Sequence, residues 1–392
     1  GATFHIIYPM MEKGQLPTIS HLIDTGTHGV LKSTVPDLSP VAWTSMVTGK
    51  RPGNHPIFDF ISRQPDSYSF RSTKGGNRKV QPIWSLLSDS GKRVGVINVT
   101  MSYPPEEVNG FIISGLDSPG LESTFAYPPS LYSEIKKNVG RYLLVNPYAL
   151  TTREKHLKGM MEMVENRLAT TKYLMERYEW DFFMAVFIGT DGAQHFYWKD
   201  MDPSHPDHDA KTPDSFKRAI SDVYTKLDAG IGELLDGHKG KITVILVSDH
   251  GFQPLHKLFV LNNWLIQEGF LCLEREFMKT VSLNKLISLG KNLKSRFLPG
   301  HRQNTGHSRT LSPSINWSKT KAFADGTFGY IFINLKGREP KGIVRPGREY
   351  DELCDGIIHR LKQVRDPDSG QLVVEEVFRC QEIFHGPYMN NA

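Results

Sequence analysis

The chain has 392 residues, with 47 Lys and Arg against 42 Asp and Glu (formal charge +5), and is 39% hydrophobic, 23% charged and 10% aromatic. That is the balance of a folded globular protein and excludes a disordered or collagen-like chain. No apolar run approaches the roughly 20 residues that span a bilayer. The three cysteines, Cys272, Cys354 and Cys380, have no CxxC spacing, which argues against a disulfide framework or a cysteine zinc site and points to a reducing, cytoplasmic setting. Lys and Arg are interspersed with Asp and Glu, so the charge excess does not imply a nucleic-acid partner.

In chain order, continuously apolar runs alternate with helical patterns, as in an α/β architecture whose parallel strands are buried on both faces. The predicted core strands are 94–99 (VGVINV), 111–114 (FIIS), 182–189 (FFMAVFIG) and 242–247 (ITVILV). Apolar residues at helical spacing predict helices over 152–178 and 216–234, each leading into a strand as a crossover would. The texture changes after Gly251. A strand and short helix are expected over 258–270, followed by the seven basic residues from Lys279 to Arg309 with no acidic one among them, and a polar loop over 300–314. Regular patterning resumes with a strand over 328–335, a helix over 349–364, a DPDSG turn at 366–370 and a strand over 372–377. The expected organisation is a core over 1–254, an inserted cap over 255–327, and a return to the core over 328–392.

Two predicted core strands end in an acidic residue followed closely by histidine, FIGT-Asp191-GAQ-His195 and LVS-Asp249-His250-GF. Ligand sites of open parallel sheets lie beyond the carboxyl ends of the strands, and Asp with neutral His is the usual donor set for Zn²⁺ or Mn²⁺. Asp191 and His195, at i and i+4, converge on one ion if the backbone turns helically after the strand. Adjacent Asp249 and His250 require a tight turn, for which Gly251 is placed. The structural alternatives are an N-cap role for Asp191 and a hydrogen-bonded interior position for His250. Thr44, in Pro40-Val41-Ala42-Trp43-Thr44-Ser45, is expected at a helix N-terminus. There it would either cap the helix or meet an anion such as phosphate.

The run VPDLSPVAWTSMVTGKRPGNHPIFDF (35–60), the DxxxH at 191–195 and SDHGF at 248–252 resemble the alkaline phosphatase superfamily. The nearest branch is the type I phosphodiesterase and nucleotide pyrophosphatase one, and within it a phosphohydrolase/phosphomutase group with AWTS and SYPPEEVNGF-like segments. The resemblance extends along the whole chain, through KGREPKGIV (336–344) and HGPY (385–388). It implies a mostly parallel sheet flanked by helices, with a cap. It also implies two divalent ions, zinc foremost and manganese as the alternative, and Thr44 as both nucleophile and metal ligand. One ion would be held by Asp191 and His195, the other by Asp249 and His250. The implied activity is phosphoric ester hydrolysis through a phosphothreonine. In the family, an Asp ahead of the GATF-like run and a His beyond the HGPY-like motif complete the two metal sites; the expectation is that this chain, carrying neither, binds metal weakly. Pro56 follows His55 where the family usually has Gly.

No CxPxR or SxPxR motif surrounds a candidate nucleophile, which sets a sulfatase aside. A phosphomutase or phosphomonoesterase would use the same residues, and a non-catalytic phosphate or polyanion-binding module is the reading from another class. The expected partner is a phosphate ester, nucleotide or phospholipid-derived. Val281, Leu286, Ile287, Leu293 and Phe297 form an apolar stripe between lysines, read as a cap helix with a solvated basic face or as a peripheral membrane contact. His205, His208, His301, His307, Arg63 and Lys257 are lesser candidates for substrate contact.

Overall fold

The computed structural model of the protein describes residues 1–121, 124–238, 242–274, 309–310, 315–325 and 329–389. The basic stretch over 279–308, its apolar stripe, His301 and His307 lie outside the described residues. The helices and strands are, in order, α1 (Phe4–Glu12), α2 (Pro17–Thr25), α3 (Ser39–Thr48), β1 (Ile61–Arg63), β2 (Ser69–Ser72), α4 (Ile83–Asp89), β3 (Val94–Val99), β4 (Gly110–Ser114), β5 (Ala126–Tyr127) and α5 (Leu131–Asn138). They continue with α6 (Arg153–Arg177), β6 (Phe182–Ala185), α7 (Gly189–Met201), α8 (Asp214–Lys217), α9 (Ala219–Asp236), α10 (Leu261–Gln267), β7 (Arg309–Thr310), β8 (Ala322–Ala324) and β9 (Ile331–Ile333). Helices Arg348–Leu361 and Cys380–Ile383 follow. Two compact units result: one contains Gly1–Lys50 and Lys74–His256, the other Arg51–Thr73 and the described residues from Lys257 onward.

The first unit carries a four-stranded sheet in the order β5-β4-β3-β6, in which β3 pairs in parallel with β4 and β6, and β5 is antiparallel to β4. All six residues of β3 are buried, as its unbroken apolar run requires. Gly110 opens β4 at φ 141°, where a Cβ would stand 2.0 Å from the Val94 carbonyl oxygen, so only glycine permits the register with Val94. One helical layer packs α1, α2, α6, α7 and α9 around Ile6, Leu16, Val164, Tyr197, Ile220 and Val223. A second core joins Ile97, Phe111 and Ile113 of the sheet to α5 and Leu174 of α6. The mixed α/β architecture with a mostly parallel sheet flanked by helices is thus present.

The second unit holds an antiparallel sheet in the order β1-β2-β7 and the antiparallel pair β8-β9. Its core gathers Phe70, Leu265, Phe323, Ile333, Ile357 and Leu361.

Several expected strands are absent. Residues 242–247 form no strand, and Val244, Ile245 and Leu246 are 40%, 83% and 55% exposed, because no neighbouring strand pairs with them among the described residues. An apolar run becomes a strand only when a ladder takes up its N–H and C=O groups. The run 182–189 yields only Phe182–Ala185 before helix α7 begins. The strand expected within 258–270 is missing, leaving α10 alone. Over 372–377 there is a single bridge, Leu372 with Arg365. Residues 331–333 do form a strand, paired antiparallel with β8 in the second unit. No helix among the described residues is long and apolar enough to cross a membrane.

Candidate active site

The backbone after β6 turns directly into α7, and Gly189 at that turn lets the chain pack closely on α6, since a Cβ there would meet Val164 Cγ2 at 2.6 Å. Asp191 therefore falls in the first turn of α7, where the helix dipole favours a carboxylate. One turn on, His195 Nε2 stands 3.6 Å from Asp191 Oδ1. From the other segment, His250 Nε2 reaches within 3.7 Å of the same Oδ1 and 3.5 Å of Asp249 Oδ2. All four residues named from the two motifs are thus brought together within the first unit.

The tautomer of His250 follows from its partners. Its Nδ1 lies 2.9 Å from the Gly251 carbonyl oxygen and must donate to it, so in the neutral ring the Nε2 lone pair faces the two carboxylates. The Ser39 hydroxyl, 3.2 Å from Nε2, can donate to that lone pair, and a cation lying between the ring and the carboxylates would remove their mutual repulsion. A ring whose other nitrogen donates to a backbone carbonyl is also how metal-ligating histidines are held. Asp249 Oδ2 is buried and accepts no hydrogen bond. Among the described residues no three such donors converge on one point as they stand. The separations nevertheless lie close to the roughly 3.3 Å expected between donors sharing one tetrahedral ion at 2.0–2.1 Å. By chemistry and orientation the donor set fits a divalent cation.

Charge reinforces the arrangement. Burial pushes the Asp249 carboxyl up, while the neighbouring His250 and the Ser39 hydroxyl act to lower it. Burial pushes His195 down, against the opposing pull of Asp191, with His250 adding to the depression. Burial thus favours the neutral ring of His195, the form that can act as a metal ligand.

Thr44 occupies a different position from the expected one. Pro40 is compatible with a first helical turn, so α3 starts at Ser39 and Thr44 lies in its second turn, away from the free N–H groups at the helix start. The side chain is fully buried and its hydroxyl has no hydrogen-bond partner. The helix reaches the cluster through Ser39, whose hydroxyl lies 3.2 Å from His250 Nε2.

Sequence reasoning missed Ser39, Ser248, Phe252 and Asn98. Ser248 Oγ accepts from Gly1 and Ala2 and donates to the His250 carbonyl oxygen, fixing the Asp249–His250 turn. Phe252 packs edge-on against His195 at 4.7 Å. Both flank the recognised dipeptide in SDHGF and were legible there as its neighbours. Asn98 bulges β3 at φ 65° and donates to the Val186 carbonyl oxygen at the exit of β6, a role with no local signature. The lesser candidates are already engaged. His205 accepts from the Asp207 N–H through Nδ1 and donates to the Leu255 carbonyl oxygen through Nε2. His208 Nδ1 lies 2.8 Å from the Lys199 carbonyl oxygen. In the second unit Arg63 pairs with Glu339, and Lys257 with Asp366 and Asp368.

Two structures of phosphonoacetate hydrolase from Sinorhizobium meliloti 1021, one in complex with phosphonoformate and one with phosphonoacetate, are similar to the chain at 16% and 15% identity. Their TM-scores are 0.42 and 0.46, over 60% and 68% of this chain and 51% and 60% of that one, so the chain spans about half to three-fifths of those proteins. No curated protein matches in sequence. The family model described as type I phosphodiesterase / nucleotide pyrophosphatase matches residues 1–387. The chain accordingly belongs to the type I phosphodiesterase / nucleotide pyrophosphatase family.

Proposed function

We propose that the protein hydrolyses phosphoric esters with Thr44 as nucleophile and with Asp191, His195, Asp249 and His250 holding two divalent cations, zinc foremost. The observation that carries this reading is the orientation of His250, whose Nε2 lone pair faces Asp191 and Asp249 while Nδ1 is committed to the Gly251 carbonyl oxygen. When bound, such cations lower the pKa of an alcohol or water and neutralise phosphate charge. The residues of the chain do the rest. Thr44 Oγ1 forms a bond to phosphorus as the bond to the leaving oxygen breaks, and water then cleaves the phosphothreonine and restores the hydroxyl. Burial of Thr44 excludes water from the nucleophile until substrate arrives, and Ser39 keeps α3 registered on His250.

The substrate class is a phosphate ester, with nucleotide and phospholipid-derived esters both within the reading. The test compares release of p-nitrophenol from the mono- and bis-p-nitrophenyl phosphates with Zn²⁺ or Mn²⁺, using Thr44→Ala as the blank. Faster diester cleavage identifies a phosphodiesterase, and faster monoester cleavage a phosphatase or mutase. Turnover no greater than that of Thr44→Ala overturns the proposal.

A further inference from the structure

The interior of the first unit contains a cation that no carboxylate among the described residues balances. Arg167, near the middle of α6, is 2% exposed. Its Nη2 donates to the Leu144 carbonyl oxygen at 2.7 Å, whereas Nε and Nη1 have no partner. Tyr142 and Thr171 are 0% and 1% exposed, and their hydroxyls are likewise unpartnered. The backbone explains why these groups gather. Asn166 accepts from the Leu143 N–H at 2.8 Å and donates to the Arg141 carbonyl oxygen at 3.0 Å, laying residues 141–144 along α6. Thr171 follows Arg167 by four residues and shares its helix face. The surroundings of Tyr142 are apolar: Phe125, Leu131, Ile135 and Leu174 belong to the same core.

A guanidinium keeps its proton even when buried. Among the described residues Arg167 has no carboxylate partner, and its nearest ionisable neighbour is Tyr142, which burial keeps in the neutral form. Water would satisfy the polar atoms but leave the charge unbalanced. A small monovalent anion would do both, accepting from Nε–H and Nη1–H and from a neighbouring hydroxyl.

We propose that Arg167, Tyr142 and Thr171 form an internal binding site for a small monovalent anion of the chloride class. The site uses none of the residues assigned to phosphoryl chemistry and does not depend on that assignment.

The experiment is thermal unfolding of the full chain at constant ionic strength, with chloride progressively replacing gluconate. A bound anion raises the unfolding midpoint with the logarithm of chloride concentration once the site fills. Arg167→Met loses this response. Tyr142→Phe, which removes a single donor and preserves the core shape, moves its onset to roughly tenfold higher chloride. An absent response in the native chain, or an equal one in the native chain and both variants, overturns the proposal. If Arg167→Met does not fold, crystals grown in bromide supply the decision: an anomalous peak within hydrogen-bond reach of Arg167 supports the site, and its absence refutes it.

Discussion

Asp191 and His250 come from separate segments of the chain, yet the carboxylate Oδ1 of one lies 3.7 Å from the ring Nε2 of the other. His195, one helical turn on in Asp191's own motif, approaches the same oxygen at 3.6 Å. Asp191 is therefore the residue that joins the two clusters. Asp191→Asn is expected to weaken Zn²⁺ binding at least tenfold, about 1.4 kcal/mol, measured by isothermal titration calorimetry. His250→Gln should act similarly, and a chelator should lower the thermal midpoint of the native chain but not of the double variant.

In the proposed mechanism Thr44 sets function against stability. Its hydroxyl is fully buried without a partner, which costs about 1–3 kcal/mol relative to an apolar group of the same shape. Thr44→Val should raise stability by about 1 kcal/mol in denaturant titrations while abolishing ester hydrolysis and sparing metal affinity. A destabilised Thr44→Val would show that the hydroxyl makes a compensating interaction.

For His195, burial favours the neutral ring and Asp191 partly offsets it, giving a value below the ordinary 6.5. The folded state then binds fewer protons than the unfolded chain between its own pKa and 6.5. The stability contribution is complete above 6.5 and is lost as pH falls through the folded value. A ring-proton NMR titration should place the midpoint below 6.5, and Asp191→Asn, which removes the opposing carboxylate, should lower it further.

Asp117 is a structural knot at the carboxyl end of β3. Its oxygens accept from Gly75, Met101, Ser102 and Tyr103 N–H groups at 2.9, 3.0, 3.3 and 2.8 Å. Burial pushes this carboxyl up, and the backbone donors oppose the shift. Asp117→Ala strands three buried donors and one half-buried donor and should destabilise by about 3 kcal/mol or more. Asp117→Asn, which retains one carbonyl oxygen, should cost less, as judged by chemical unfolding.

Pro56 adopts φ 28°, on the left-handed side of the map, where a prolyl ring fits poorly and glycine sits without strain. The resemblance places Gly there. Pro56→Gly should therefore stabilise the protein by about 1 kcal/mol or more, read from the unfolding midpoint. Unchanged or reduced stability would mean that the surrounding turn accommodates the ring.

How much of this was legible in the sequence differs between elements. Strands β3 and β4 and helices α6 and α9 were readable because long periodic or uninterrupted apolar runs report burial directly. The short strands of the second unit were not, since two- to four-residue strands carry almost no periodic signal. The run at 242–247 misled for a related reason: its composition describes a buried strand, but pairing depends on a neighbour that the run itself does not specify.

The sequence by itself carried the fold class, through its long apolar runs, and the family, through the ordered motifs at 35–60, 191–195 and 248–252, and it singled out Asp191, His195, Asp249 and His250 as candidates, because residue types and their spacing are local properties. Only the tertiary structure decided that these four meet, that His250 directs Nε2 toward both carboxylates, that Thr44 lies in the second turn of α3, and that Arg167 is buried without a counter-charge among the described residues. Each of those facts depends on which distant segments become neighbours, and the free energy of a charge or hydrogen bond is set by those neighbours rather than by its position along the chain.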